Sequence, residues 1–201
     1  MDRREDRRRD SRGPSRRRSA RRGGGAAAPA RMPRRRRRGS RGRRPRSRPL
    51  ARMKLLFVCT GNTCRSVLAH RYAARLAAEE KLKVHVSSAG LAANKDIPQP
   101  QIVADLLAKE GVKDLKNIPV MLTGKMIKGN DVVLAMTAAH KEEIIARYPR
   151  AAKKTYLLAD YAGFGKDDIP DPYGLPDVFY FTIFRTIKAA VKAVLKKLKK
   201  K

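Results

Sequence analysis

From residue 53 onward, short apolar runs alternate with helically spaced stripes. Residues 54–59 form an apolar run with the length of a buried strand. A helical pattern follows over 66–81, with Leu68, Tyr72 and Leu76 on one stripe and Arg71 and Arg75 on another. Residues 83–88 alternate as a second strand, closed by Ala89 and Gly90. The next helix is predicted to start at Ile97-Pro98-Gln99-Pro100, run to about Glu110 and stop at Gly111. A short helix is predicted over 123–129, a strand over 131–136 and a helix over 138–147, ending before Pro149. Residues 155–158 read as a shorter strand and 159–176 as a loop rich in Asp, Gly and Pro, before a last helix over 177–200. Alternating strands and helices predict an α/β fold: a four-stranded parallel sheet with helices on both faces.

The last helix admits two readings. Phe179, Ile183, Ile187, Val191, Val194, Leu195 and Leu198 keep helical spacing, while Lys188, Lys192, Lys196 and Lys199 line another face. A basic amphipathic membrane anchor has this pattern. A helix packed on a core with its lysines in water has it as well, and is the expected case.

The first 52 residues show no apolar period. They hold 23 Arg, no Lys and 4 acidic residues, a net +19 of the chain's +31. Such a composition has almost nothing to bury, so we expect residues 1–52 to be disordered and the globular domain to span 53–201. Asp2, Glu5, Asp6 and Asp10 argue against a transit peptide, and no apolar core for a secretory signal is present. Three readings stay open for the segment: a start site assigned upstream of Met53, a non-specific nucleic-acid-binding arm, or an inert extension. No apolar run of about 18 residues occurs, so no membrane span is expected. Two cysteines, Cys59 and Cys64, are too few for a secreted disulfide framework, and the chain reads as cytoplasmic.

The candidate chemistry sits where the first strand meets the first helix. Cys59-Thr60-Gly61-Asn62-Thr63-Cys64-Arg65-Ser66 places a cysteine and an arginine around a five-residue turn. Backbone N–H groups of such a turn, with the helix N-terminus, make a cradle for phosphate. The same positive field favours a thiolate nucleophile, and the Arg65 guanidinium offers a planar fork for two phosphoryl oxygens. Gly61 is expected to supply a special backbone shape and Asn62 to tolerate a left-handed one. Ser66 is expected either to donate to the Cys59 sulfur or to cap the helix. A phosphatase also needs a general acid at the same sheet edge. Asp160, Asp167, Asp168, Asp171 and Asp177 are candidates, and Asp171 stands out because Pro172 fixes the backbone after it.

Taken together, the Val58–Ser66 loop, Ser88-Ala89-Gly90 and Asp171-Pro172-Tyr173 resemble the low-molecular-weight protein tyrosine phosphatase family, and the Met136-Thr137 and His140-Lys141 region is similar to its bacterial members. The resemblance covers the chain from Met53 on. It implies a phosphorylated protein substrate, a phosphocysteine intermediate and neither metal nor cofactor. It further implies Cys59 as nucleophile, Arg65 as phosphate holder and Asp171 as general acid, then base, with Thr60, Gly61, Asn62, Thr63, Cys64, Ser66 and Tyr173 around the substrate. Within the family the likeness is to protein-arginine phosphatases, since tyrosine-specific members carry an aliphatic residue where Thr63 stands. Phosphoarginine is therefore the expected substrate, with phosphotyrosine as the alternative. An arsenate reductase would need a further resolving cysteine, and none follows Cys64. The resemblance also favours a reversible Cys59–Cys64 disulfide, beside the simpler reading of Cys64 as a small loop support. Val67, His70 and Asn117-Ile118-Pro119-Val120 depart from the family pattern, standing where proline, an acidic residue and a basic-and-serine stretch are common.

Overall fold

The computed structural model describes residues 52–199, so the expectations for the Arg-rich segment lie outside the described residues. Four strands, β1 (Met53–Cys59), β2 (Val84–Gly90), β3 (Val132–Ala135) and β4 (Thr155–Leu157), form one sheet in the order β2-β1-β3-β4. All three pairings are parallel. The helices are α1 (Arg65–Glu79), α2 (Gln101–Lys109), α3 (Gly124–Gly129), α4 (Ala138–Arg147), α5 (Leu158–Ala162) and α6 (Asp177–Lys199), with a 3₁₀ turn over Pro149–Lys154.

The apolar run of β1 follows from its central place. Leu55, Leu56, Phe57 and Val58 are wholly buried because helices cover both faces of the sheet. Strand alternation sends Leu55, Phe57 and Cys59 into one core layer with Leu68 and Tyr72 of α1 and Ile183 and Ile187 of α6. It sends Leu56 and Val58 into the other, with Ile127 of α3 and Ile144 of α4. The chain leaves β1 toward β2 on one side and returns to β3 on the other, so the carboxyl end of β1 is the switch point where open α/β sheets bind ligands. Cys59 ends that strand.

Several boundaries differ from the sequence expectation. β2 continues through Ala89 and Gly90, because both pair with β1. α2 begins at Gln101, not near Ile97, since a proline disfavours helix in the residue before it and Pro100 takes the cap position with ψ of 139°. The 159–176 loop opens with α5, a helix of one turn that ends at Gly163 with φ of 88°. α6 packs on α1 as a core helix: Tyr180, Ile183, Phe184, Ile187, Val191, Val194 and Leu195 are buried, and Phe184 meets Tyr72 edge-on at 5.8 Å. Phe179, expected on that stripe, is instead 46% exposed. Among the described residues no helix is long and apolar enough to cross a membrane.

Candidate functional site

The Cys59–Arg65 turn is held in shape by one residue. Asn62 is fully buried and takes the left-handed conformation, φ 55°, which asparagine tolerates better than most residues. Its backbone N–H points at Cys59 Sγ at 3.3 Å. Its side-chain Nδ2 donates both hydrogens, to Ser66 Oγ at 2.9 Å and to Ser88 Oγ at 3.0 Å. Its Oδ1 accepts the Val120 N–H at 2.9 Å, and its carbonyl accepts from Asn117 Nδ2 at 2.7 Å. The special backbone shape expected of Gly61 therefore belongs to Asn62, and Gly61 is absent from the positive-φ positions. Asn117 and Val120, departures in the sequence pattern, serve as braces for the turn.

Ser66 lies inside the first turn of α1 and does not cap it; Cys64 occupies the cap position without a side-chain bond. The Ser66 hydroxyl accepts from Asn62 and sits 3.0 Å from Cys59 Sγ. A buried hydroxyl proton needs an acceptor, and the sulfur is the one within reach. The hydroxyl thus points at Cys59 Sγ and donates to it. Among the described residues, the N–H groups of Gly61, Thr63 and Cys64 donate to no backbone carbonyl, which leaves them available as donors to a bound anion.

Arg65, 3% exposed, is threaded along the sheet edge. Nη1 donates to the Ile169 carbonyl at 3.1 Å, and the Ile169 N–H in turn donates to the Met136 carbonyl at the end of β3 at 2.9 Å. Nη2 ion-pairs with Asp171 and reaches Thr60 Oγ1 at 3.4 Å. Nε is buried with no protein acceptor among the described residues. One edge of the guanidinium therefore carries an unused donor beside a donor that Asp171 occupies, the geometry a phosphoryl group takes when it displaces the carboxylate. Sequence reasoning gave His140 no role. Its Nε2 lies 2.9 Å from Thr60 Oγ1, and burial, then the nearby Arg65 charge, push its pKa down, so it stays neutral beside the anion site.

Of the five candidate acids, only Asp171 reaches Arg65. Its Oδ1 accepts the Tyr173 N–H at 3.1 Å, an Asx turn that fixes the carboxylate. Asp168 caps α4 through the Ala138 N–H at 2.7 Å; Asp160 lies in α5 and Asp177 opens α6. A cavity of about 190 Å³ opens above the turn, lined by Cys59, Thr60, Gly61, Thr63, Cys64, Arg65 and Asp171 with Ile97 and Tyr173 on its wall. Every site residue expected from sequence except Asn62 and Ser66 lines it, and those two stand behind the turn as supports. Thr63 is 6% exposed and its Oγ1 lies 3.7 Å from Cys64 Sγ. Both cysteines are free; burial raises the Cys64 pKa to about 11, so it stays a thiol near neutrality.

Behind the turn, His70 Nδ1 lies 3.1 Å from Ser88 Oγ. Burial, then Arg71 on the same helix and His85 on β2, lower its pKa to about 4 against the opposing pull of Asp114. A depressed histidine is charged earlier in the unfolded chain than in the folded one. Its contribution to stability is complete above about pH 6.5 and is lost as pH falls toward 4, a range worth about 3 kcal/mol. Urea unfolding at pH 7 and pH 5 is expected to show this loss in the parent protein and a smaller one in His70→Asn; equal losses would contradict it.

The model of the low molecular weight phosphotyrosine protein phosphatase family matches residues 54–201. A protein-arginine-phosphatase of Bacillus subtilis is 32% identical over 148 residues, covering 74% of this chain and 98% of the relative. The low molecular weight protein-tyrosine-phosphatase Etp of Escherichia coli is 34% identical over 119 residues, covering 59% of this chain and 76% of its own. Among solved structures, a mutant of the YwlE arginine phosphatase with a phosphorylated active-site serine aligns with a TM-score of 0.70 at 31% identity, over 74% of this chain and 97% of that one. The chain belongs to the low molecular weight phosphotyrosine protein phosphatase family and is a cysteine-dependent protein phosphatase.

Proposed function

We propose that this phosphatase, with residues 53–201 as its catalytic domain, hydrolyses phosphoarginine in cytoplasmic proteins. Cys59 Sγ attacks phosphorus in line; the S–P bond forms as the P–N bond breaks. Asp171, carrying a proton taken up from water when the phosphoryl group displaces it from Arg65, gives that proton to the leaving guanidine nitrogen. The turn's N–H groups and the Arg65 Nε and Nη2 donors hold the equatorial oxygens, where they act on charge as it spreads in the transition state. Water then attacks phosphorus, Asp171 takes its proton, and the S–P bond breaks to return the thiolate and release phosphate. The Arg65–Asp171 ion pair supports this order: phosphate entry displaces the carboxylate from Arg65 toward the leaving group.

The observation that carries the choice of substrate is Thr63, which lines the cavity beside Cys59 and carries a hydroxyl where an aliphatic side chain would suit a phenyl ring. A single aromatic, Tyr173, 57% exposed, stands on the rim. The 32% identity to a protein named as an arginine phosphatase is consistent with the reading. Replacing Thr63 by Ile tests it. The ratio of kcat/KM on a phosphoarginine peptide to that on the matched phosphotyrosine peptide is expected to fall about tenfold or more, because one polar group in a pocket shifts discrimination on that scale. An unchanged ratio would make Thr63 incidental and remove the observation on which the choice of phosphoarginine rests.

A further inference from the structure

His70 lies outside the cavity and takes no part in the steps above, yet it ends a continuous chain of hydrogen bonds that begins at the nucleophile, buried as far as Ser88 and part-buried at His70. The chain runs from Cys59 Sγ to Ser66 Oγ at 3.0 Å, to Asn62 Nδ2 at 2.9 Å, to Ser88 Oγ at 3.0 Å and to His70 Nδ1 at 3.1 Å. Counting protons fixes its direction. Asn62 spends one Nδ2 hydrogen on each serine, so each serine must place its own hydroxyl proton elsewhere. Ser66 gives its proton to the sulfur. Ser88 is 7% exposed, and among the described residues the side-chain group left to accept its proton is His70 Nδ1.

We infer that His70 is a positioning residue for the nucleophile: by accepting the Ser88 hydroxyl, it fixes which way the Asn62 amide faces and so keeps Ser66 aimed at Cys59. The alternative arrangement shows why this matters. Without an acceptor at 70, the Ser88 proton is satisfied if the Asn62 amide turns over and offers Oδ1 to the two serines. Ser66 then donates to Asn62 instead of to the sulfur, and Nδ2 opposes the Val120 N–H. His70 removes the reason to turn. Its neutral state near pH 7, set by burial and Arg71, is the state that accepts a proton here. His85, Asp114 and Arg71 are the titratable and charged groups around the ring, and the Val86 backbone carbonyl accepts from it; the assignment needs that bond to come from Nε2, which leaves Nδ1 free to accept from Ser88.

The inference rests on Cys59 as nucleophile but not on the phosphoarginine reading, so para-nitrophenyl phosphate is the test substrate. The parent protein and Cys59→Ser are run beside the variants to check that footing separately. His70→Leu is expected to lower kcat about tenfold with KM within twofold, and to slow alkylation of Cys59 by iodoacetate by a similar factor. His70→Asn, whose Oδ1 can stand near the Nδ1 position, is expected to recover most of both. In a Ser88→Ala background no proton needs an acceptor, so adding His70→Leu is expected to cost less than twofold. An unchanged kcat in His70→Leu, failure of His70→Asn to rescue, or the full tenfold cost in the Ser88→Ala background would each overturn the assignment.

Discussion

Cys59→Ser is expected to reduce kcat by about 10⁴- to 10⁶-fold on any phosphorylated substrate, the scale set by loss of a nucleophile from an otherwise complete site. The reason is the difference in acidity between a thiol and an alcohol. Ser66 and the Asn62 N–H, at 3.0 and 3.3 Å, can hold a charged sulfur, but the same two donors do not ionise an alcohol near pH 7. The rest of the cradle is untouched, so the variant is expected to keep its thermal midpoint and to bind inorganic phosphate with little change. Circular dichroism melting and calorimetric titration check those two points beside the assay. Turnover within a hundredfold of the parent would mean that another group attacks phosphorus, and the proposed chemistry would fail with it.

Gly90→Ala should be the most damaging single methyl in the domain. Gly90 ends β2 beside Cys59 and has no positive φ, so its role is space. A β-carbon there would lie 2.5 Å from the Thr60 carbonyl oxygen and 2.9 Å from both Asn62 N and Gly61 C. All three are backbone atoms of the phosphate-binding turn, and the strand cannot back away because Gly90 also bonds Val120 and Leu122 through N–H and C=O, each at 2.8 Å. The turn must move instead. A displacement near 1 Å in a positioned site costs about 10²-fold in rate, and overpacking costs about 1–3 kcal/mol in stability. Both are read from kcat on para-nitrophenyl phosphate and from urea unfolding of the same preparation. Gly129→Ala, where nothing lies within 4 Å of the added carbon, is the matched control. Equal, small effects at the two positions would show that the turn yields freely.

These contrasts also show which parts of the molecule can be read from its sequence. β1, the turn and α1 are contiguous, and each obeys a local rule: a buried run, a turn chemistry, a stripe. Asp171 stood out among five nearby aspartates through Pro172, but its role as the acid came from the family resemblance and not from a local rule. The groups behind the turn obey no such rule. Ser88, His70, Asn117 and the Ile169 carbonyl are brought to the site by strand pairing and by long-range side-chain bonds, which leave no periodic trace. Ser88-Ala89-Gly90 was visible as a motif, but the close approach that requires Gly90 is visible only in three dimensions. The departures at His70 and Asn117 were legible as oddities; their partners, Ser88 and the Asn62 carbonyl, give them meaning. α5 escaped notice because Leu158–Ala162 is a single turn, too short for a helical stripe to register.

The central claim, that this cysteine-dependent phosphatase is built for phosphoarginine, is tested most directly by kcat/KM of the parent protein on phosphoarginine and phosphotyrosine in one peptide sequence, with Cys59→Ser as the blank. The account predicts a preference of at least about tenfold for phosphoarginine, lost in the blank. A preference of the same size for phosphotyrosine would contradict it and return the chain to the tyrosine-specific side of its family.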